Sequence, residues 1–235
     1  AGRPPPAALL LPETLPPERR RSGLVATRAD FGVLLGNRTF IGYAIAIACA
    51  ATALVGYIST SSFVIQDVYG ASPQLFGVLF GTLGLGVILG SQVNAHLLTR
   101  HSPRRLLGWA VAAFVLDGAA MLGLVLSGAP LWAVCPTFFV LMCGWGFIPS
   151  NATALAMQDH PERAGSASAL VGFCQFGLPA FCVPLIGVAG ESSATPMATT
   201  VLVAALLCAL ALRLVPRLDS DATAISPAAS ETPVV

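Results

Sequence analysis

Long apolar runs alternate along this chain with short polar breaks. Six runs stand out, at about 39–60, 74–98, 106–127, 131–157, 166–189 and 196–215. Each is near the roughly 20 residues a helix needs to cross a bilayer. The clearest junction lies in Gly144–Gly172, where one apolar helix ends, a charged turn at Gln158–Arg163 follows, and another helix begins. The pattern predicts an all-α membrane protein, a six-transmembrane-helix bundle.

The flanks are different material. Residues 1–36 open on Arg3-Pro4-Pro5-Pro6 and continue through Pro12–Arg21, a proline density that forbids a continuous helix. They read as a cytoplasmic loop or linker whose Arg19-Arg20-Arg21 anchors at anionic lipid. Ala29–Arg38 is either a short amphipathic lead-in at the membrane surface or plain linker. Residues 37–216 form the six-span domain, and 217–235, rich in Ala, Ser, Asp and Pro, read as a disordered cytoplasmic tail. The chain begins without Met and without a signal-peptide pattern, and is expected to be a segment of something longer.

Composition sharpens the class. The chain is 55% hydrophobic and only 10% charged, against roughly 25% charged in soluble domains. So much apolar surface has no interior to hide in, which makes the lipid bilayer its solvent. A net charge of +1 gives no reason to expect a nucleic-acid partner. The basic residues are all Arg, and their placement sets orientation. Arg19, Arg20, Arg21, Arg28 and Arg38 precede the first run; Arg100, Arg104 and Arg105 separate the second and third; Arg163 separates the fourth and fifth; Arg213 and Arg217 close the last. Ser59–Pro73, Ser127–Pro130 and Gly190–Thr195 carry none. The positive-inside rule then puts both termini in the cytoplasm.

Polar groups at membrane depth are the candidate chemistry. Asp117 is the one acid well inside a run, where burial costs at least about 3 kcal/mol. It is a proton or cation-substrate site, or a structural acid kept protonated or hydrogen-bonded to a neighbouring helix. Gln92, Asn94, Asn151 and Gln175 either line a cavity or join helices. Pro136, Pro149, Pro179 and Pro184 interrupt helical hydrogen bonding, as flexing carrier helices do. Gly77-x-x-x-Gly81, Gly86-x-x-x-Gly90 and Ser168-x-x-x-Gly172 place small residues where helices approach closely.

Enzyme chemistry finds no footing. His96, His101 and His160 lie at or near the Arg-bearing ends of the runs, and no H-E-x-x-H occurs. Gly165-Ser166-Ala167-Ser168 lacks a histidine at matching depth in a later run. The six cysteines sit in apolar runs without C-x-x-C pairs and read as small hydrophobes. No metal and no cofactor is expected.

Several stretches carry a resemblance to a known family. They are Pro12–Arg20, Tyr57–Gly70, Gly90–Ala95, Gly146–Ala156 and Ala164–Gly172, in order and across almost the whole chain. The chain resembles the C-terminal half of a major facilitator superfamily transporter, of the Bcr/CflA type of drug–proton antiporters. The resemblance implies that the six runs are spans seven to twelve of twelve, with a missing N-terminal six-span half as partner. Residues 1–36 would be the central cytoplasmic loop of an inner-membrane carrier working by alternating access. Spans seven, eight, ten and eleven would wall a cavity for a small amphipathic drug-like substrate exchanged against protons. Tyr57, Gln92, Asn94, Asn151, Phe173 and Gln175 are then the substrate contacts, by stacking and neutral hydrogen bonds. Leu98–Arg105, with Arg100, Arg104 and Arg105, resembles a degenerate gating loop in which Thr99 stands at the place of an Asp. The family's proton-coupling acids lie in the absent half, and Asp117 would sit on a peripheral support span. Three rivals stand beside this reading: a half-carrier for another small solute, a dimerising six-span carrier, and a non-transporting fragment of a split gene.

Overall fold

The computed structural model describes residues 24–182 and 193–215. The proline-rich opening through residue 23, Pro184 with the end of the fifth run, and the tail from residue 216 lie outside the described residues. Seven α-helices of eight residues or more occur among those described: α1 Leu24–Gly36, α2 Arg38–Phe63, α3 Pro73–Leu97, α4 Pro103–Leu126, α5 Leu131–Gln158, α6 Ala164–Gly172 and α7 Thr195–Leu214. Among the described residues, six spans are long and apolar enough to cross a membrane. They are α2 extended to Val68, then α3, α4, α5, the stretch Pro161–Cys182 containing α6, and α7. This is an all-α, multi-pass membrane bundle.

Local sequence sets where the helices begin. Asn37 caps α2, its Oδ1 accepting from the backbone N–H of Thr39 (2.9 Å) and Phe40 (3.2 Å). Ser72 caps α3 through the Leu75 N–H, and Pro73 and Pro103 occupy first-turn positions where their missing N–H costs nothing. The first span runs on past the expected end near residue 60, as a π-turn at Val64–Val68. Gly70, at φ 69°, then reverses the chain. Helix α5 is continuous through Pro136 and Pro149, as neighbouring helices and side chains allow in lipid.

The packing is a ring with two flankers. Helix α2 packs on α5 and α7, and α4 on α5 and α7, closing a four-helix ring. Helix α3 leans on α5, while α6 and the π-turn after it lean on α2. The ring thus has an α2–α5 edge flanked by α3 and α6, and an opposite α4–α7 edge. Span α2 is the most buried, and α3 and Pro161–Cys182 the least.

Glycines mark close approaches where α7 meets α2 at Gly42 and α4 at Gly118, and again where α3 meets α5. A Cβ on Gly86 would meet Met142 Cβ at 3.0 Å, and one on Gly90 would strike the Cys143 backbone. The second small-residue pair is therefore the α3–α5 seam. A Cβ on Gly77, Gly81 or Gly172 would meet nothing within 4 Å, so the first pair joins no described helices. In the last pair only Ser168 reaches a neighbour, its Oγ lying 3.8 Å from Met157 Sδ on α5. For the first pair the reason is helical phase. Leu83, Gly86, Gly90 and Asn94 form the buried stripe of α3, and Gly77 and Gly81 lie off it.

Candidate functional site

The six expected contact residues divide into two groups. Tyr57 is buried inside the bundle, its ring tilted against Phe138 with centroids 5.1 Å apart. Its hydroxyl has no hydrogen-bond partner among the described residues. Asn94 and Asn151 are also buried, and they meet. Asn151 Nδ2 donates to Asn94 Oδ1 at 2.7 Å and to the Phe147 carbonyl at 2.8 Å. The pair ties α3 to α5 one turn beyond the Gly90 contact.

The other three are less enclosed. Gln92 and Phe173 are exposed and Gln175 is half-buried. Gln92 and Asn94, two residues apart on one helix, point to nearly opposite sides of it.

Phe173 and Gln175 share an unusual piece of backbone. Residues Phe173–Gly177 form a π-turn. Pro179 explains it, having no N–H for the Gln175 carbonyl and a ring that crowds that position. π-Bulges of this kind recur at functional sites. Gly177 completes the arrangement, because a Cβ there would lie 2.8 Å from the Phe173 ring.

Exposed aromatics continue along this span with Phe176 and Phe181, at 69% and 72% exposure. Together with α3 they give the α2–α5 edge two flanks bearing apolar, aromatic and amide groups. Asp117 is elsewhere, on α4, which packs on α5 and α7. It is buried, and its Oδ2 has no hydrogen-bond partner among the described residues.

At the Arg-bearing end, Arg100 and Arg105 are exposed and Arg104 is half-buried. Arg104 lines a broad crevice of about 890 Å³ between α4 and α7, together with Tyr43 and Arg213. His101 stacks edge-on against Trp109, with centroids 5.1 Å apart.

One set of contacts escaped the sequence reading. Helix α1 is longer than the expected lead-in and docks on α2 and α6. Buried Asp30 accepts from Arg163 Nε at 3.0 Å and from Ser166 Oγ at 3.5 Å. Asn37 Nδ2 lies 3.1 Å from His160 Nε2. Because Asn37 Oδ1 is committed to capping α2, its Nδ2 donates and the His160 ring nitrogen accepts. The Gln158–Arg163 turn is thus clamped to the segment entering the first span. The available signal was Asp30 itself, the lone acid between Glu18 and Asp67.

Replacing Arg163 by Gln removes the charge opposite a buried carboxylate, a loss of about 1–3 kcal/mol. The expected outcome is faster amide exchange across Leu24–Gly36, with α5 and α7 unchanged. Equal exchange in the variant and the parent would refute the clamp.

Comparison with known proteins adds the lineage. Residues 6–184 match the model of the Major Facilitator Superfamily. The chain is 36% identical over 205 residues to the uncharacterized MFS-type transporter YdgK of Bacillus subtilis (strain 168), covering 87% of this chain and 51% of that protein. It is 28% identical over 196 residues to the bicyclomycin resistance protein homolog of Haemophilus influenzae, covering 81% and 48%. A third similarity, 34% over 128 residues, is to the puromycin resistance protein pur8 of Streptomyces alboniger, covering 52% and 25%. The chain spans about half the length of the first two relatives, and less of the third.

Proposed function

The chain belongs to the major facilitator superfamily, and from that premise we propose that it is the C-terminal half of a proton-coupled efflux carrier of the Bcr/CflA type. Its substrates are amphipathic, drug-like molecules, and both termini lie in the cytoplasm. The observation that carries this reading is the exposed aromatic and amide groups on the two spans flanking the α2–α5 edge, in a chain about half the length of a drug-resistance relative. A second six-span half covers that edge, and the substrate cavity forms between them.

Within this scheme Gln92, Phe173 and Gln175 touch the substrate, offering a ring face and neutral hydrogen bonds. Tyr57, Asn94 and Asn151 form the wall behind them. The π-turn at Phe173–Gly177 is where the eleventh span of the complete carrier flexes during alternating access. Arg100, Arg104 and Arg105 belong to the cytoplasmic gating loop. Proton coupling resides in the other half, since Asp117 lies on a helix away from the open edge.

The test is drug susceptibility in a bacterium stripped of its own efflux pumps and supplied with the complete carrier. Resistance to bicyclomycin or puromycin, abolished when the proton gradient is collapsed, is the expected result. Losing a contact worth about 1 kcal/mol changes affinity roughly fivefold, so Phe173→Ala and Gln175→Ala should each lower resistance measurably. Unchanged resistance for Ala variants at all six positions, at normal protein levels, would overturn the site assignment. Efflux that persists without a proton gradient would overturn the coupling.

A further inference from the structure

Asp117 is the group that the carrier reading leaves unused. It sits well inside α4, with a relative exposure of 7%. Its Oδ2 is buried and has no hydrogen-bond partner among the described residues. A carboxyl group accepts several hydrogen bonds when ionised and donates one when protonated. In either form an orphaned oxygen at membrane depth is costly. A purely structural acid would have been satisfied by a neighbouring helix, as Asn94 is by Asn151.

The surroundings of Asp117 show what could satisfy it. It lines a cavity of about 290 Å³ bounded by α2, α3, α4 and α5. Asp117 is the sole charged side chain among the residues lining it. The walls are otherwise apolar and unusually aromatic: Trp109 and Phe114 from α4, Trp145 and Phe147 from α5. Trp109 and Val140, 53% and 43% exposed, form the mouth. The cavity therefore opens at the surface of the bundle, where lipid is the solvent.

A single carboxylate inside an aromatic cavity specifies a narrow chemistry. Uncharged apolar ligands offer the Asp117 carboxyl group no partner. Anions are repelled. A protonated amine on an apolar body donates to the carboxylate and neutralises it, and indole faces attract cations when water is excluded. Small-molecule sites have this form, with apolar walls and a few placed polar groups. The volume is near the lower end of the range for such sites and fits an amine bearing one aryl ring.

We propose that the cavity between α2, α3, α4 and α5 is a binding site for a small amphipathic amine, entering from the bilayer and held by the Asp117 carboxylate as counter-ion. None of the six expected substrate contacts lines this cavity, so its occupant is distinct from the carrier's substrate. The site does not depend on the carrier reading, because occupancy is an equilibrium property measured without transport.

Tryptophan fluorescence supplies the readout. The chain has three tryptophans, and two of them, Trp109 and Trp145, line the cavity. The third, Trp132, is 77% exposed, and Trp132→Phe removes its background. The full chain, purified in lipid nanodiscs in that background, is titrated with phenylbutylamine and with its neutral counterpart phenylbutanol.

A saturable change with the amine, and binding of the alcohol at least about thirtyfold weaker, is the expected result, as for loss of one partner of a buried charge pair. Asp117→Asn should bring the amine down to the level of the alcohol. Gly144→Leu provides a second arm should Asp117→Asn fail to fold. Gly144 lines the cavity, and a Cβ there meets nothing within 4 Å, so the leucine fills the space and leaves the carboxylate intact. It should abolish amine binding.

Equal affinity for amine and alcohol would overturn the proposal and mark the cavity as an apolar cleft for a lipid chain. Undiminished amine binding in a folded Asp117→Asn, or in Gly144→Leu, would overturn it too. So would the absence of any saturable signal.

Discussion

Gly90→Val should eliminate the folded bundle, while Gly77→Val on the same helix should leave it unchanged. The contrast follows from what each new methyl group meets. At Gly90 a Cβ strikes the Cys143 carbonyl oxygen and lies 2.8 Å from Cys143 Cα. The opposing surface is equally unforgiving, since a Cβ on Gly146 strikes the Ser91 N–H and lies 2.6 Å from the Gly90 carbonyl carbon.

Overpacking against side chains costs about 1–3 kcal/mol because they can turn aside. Backbone cannot, so α3 must retreat from α5 along its whole length. That retreat also pulls Asn94 away from Asn151. The check is size-exclusion chromatography and thermal unfolding in detergent. A Gly90→Val protein as stable as the parent would show that α3 does not sit where the geometry puts it.

The Asn94–Asn151 pair makes the second large prediction. Asn151→Leu deprives buried Asn94 of its donor at 2.7 Å. A formed interhelical hydrogen bond in a membrane is worth only about 0.6 kcal/mol net on average. An orphaned buried acceptor costs about 1–3 kcal/mol, so the penalty comes mainly from the group left behind. The double variant Asn94→Leu with Asn151→Leu should therefore be more stable than either single variant. Denaturant titration of the four proteins in mixed micelles measures this. Additive losses in the double variant would contradict the pairing.

How far the sequence discloses such features depends on whether they are local. The six spans are legible because lipid demands about 20 apolar residues per helix, and short polar breaks, alternately with and without Arg, separate them. Helix starts lie close to the run starts, at Arg38, Pro73 and Pro103 against about 39, 74 and 106. The end of the first span is not legible. Gln66 and Asp67 read as a polar break, yet the backbone stays wound through Val68 before Gly70 turns it.

Tertiary choices lie beyond the pattern. Gly77 and Gly86 each head the same motif, but only one pair lands on the stripe that faces α5. Gln92 and Asn94 carry similar amides, and helical phase alone sends one outward and the other to Asn151. The docking of α1 depends on Asp30 meeting Arg163 across 133 residues of chain; the lone acid stands out locally, but nothing near it names its partner. The π-turn at Phe173–Gly177 lies between these extremes. Pro179 marks it in the sequence, but not the ring of Phe173 folded over Gly177.

The central claim is that a second set of six spans completes the open α2–α5 edge. Its most direct test is the mass of the native polypeptide, read by immunoblot of source membranes with an antibody against residues Asp219–Val235. This chain has a mass of 24.1 kDa. A band near twice that value is the predicted result, and it places both halves in one molecule. A band at the chain's own mass, with no six-span partner recovered by crosslinking, would contradict the account.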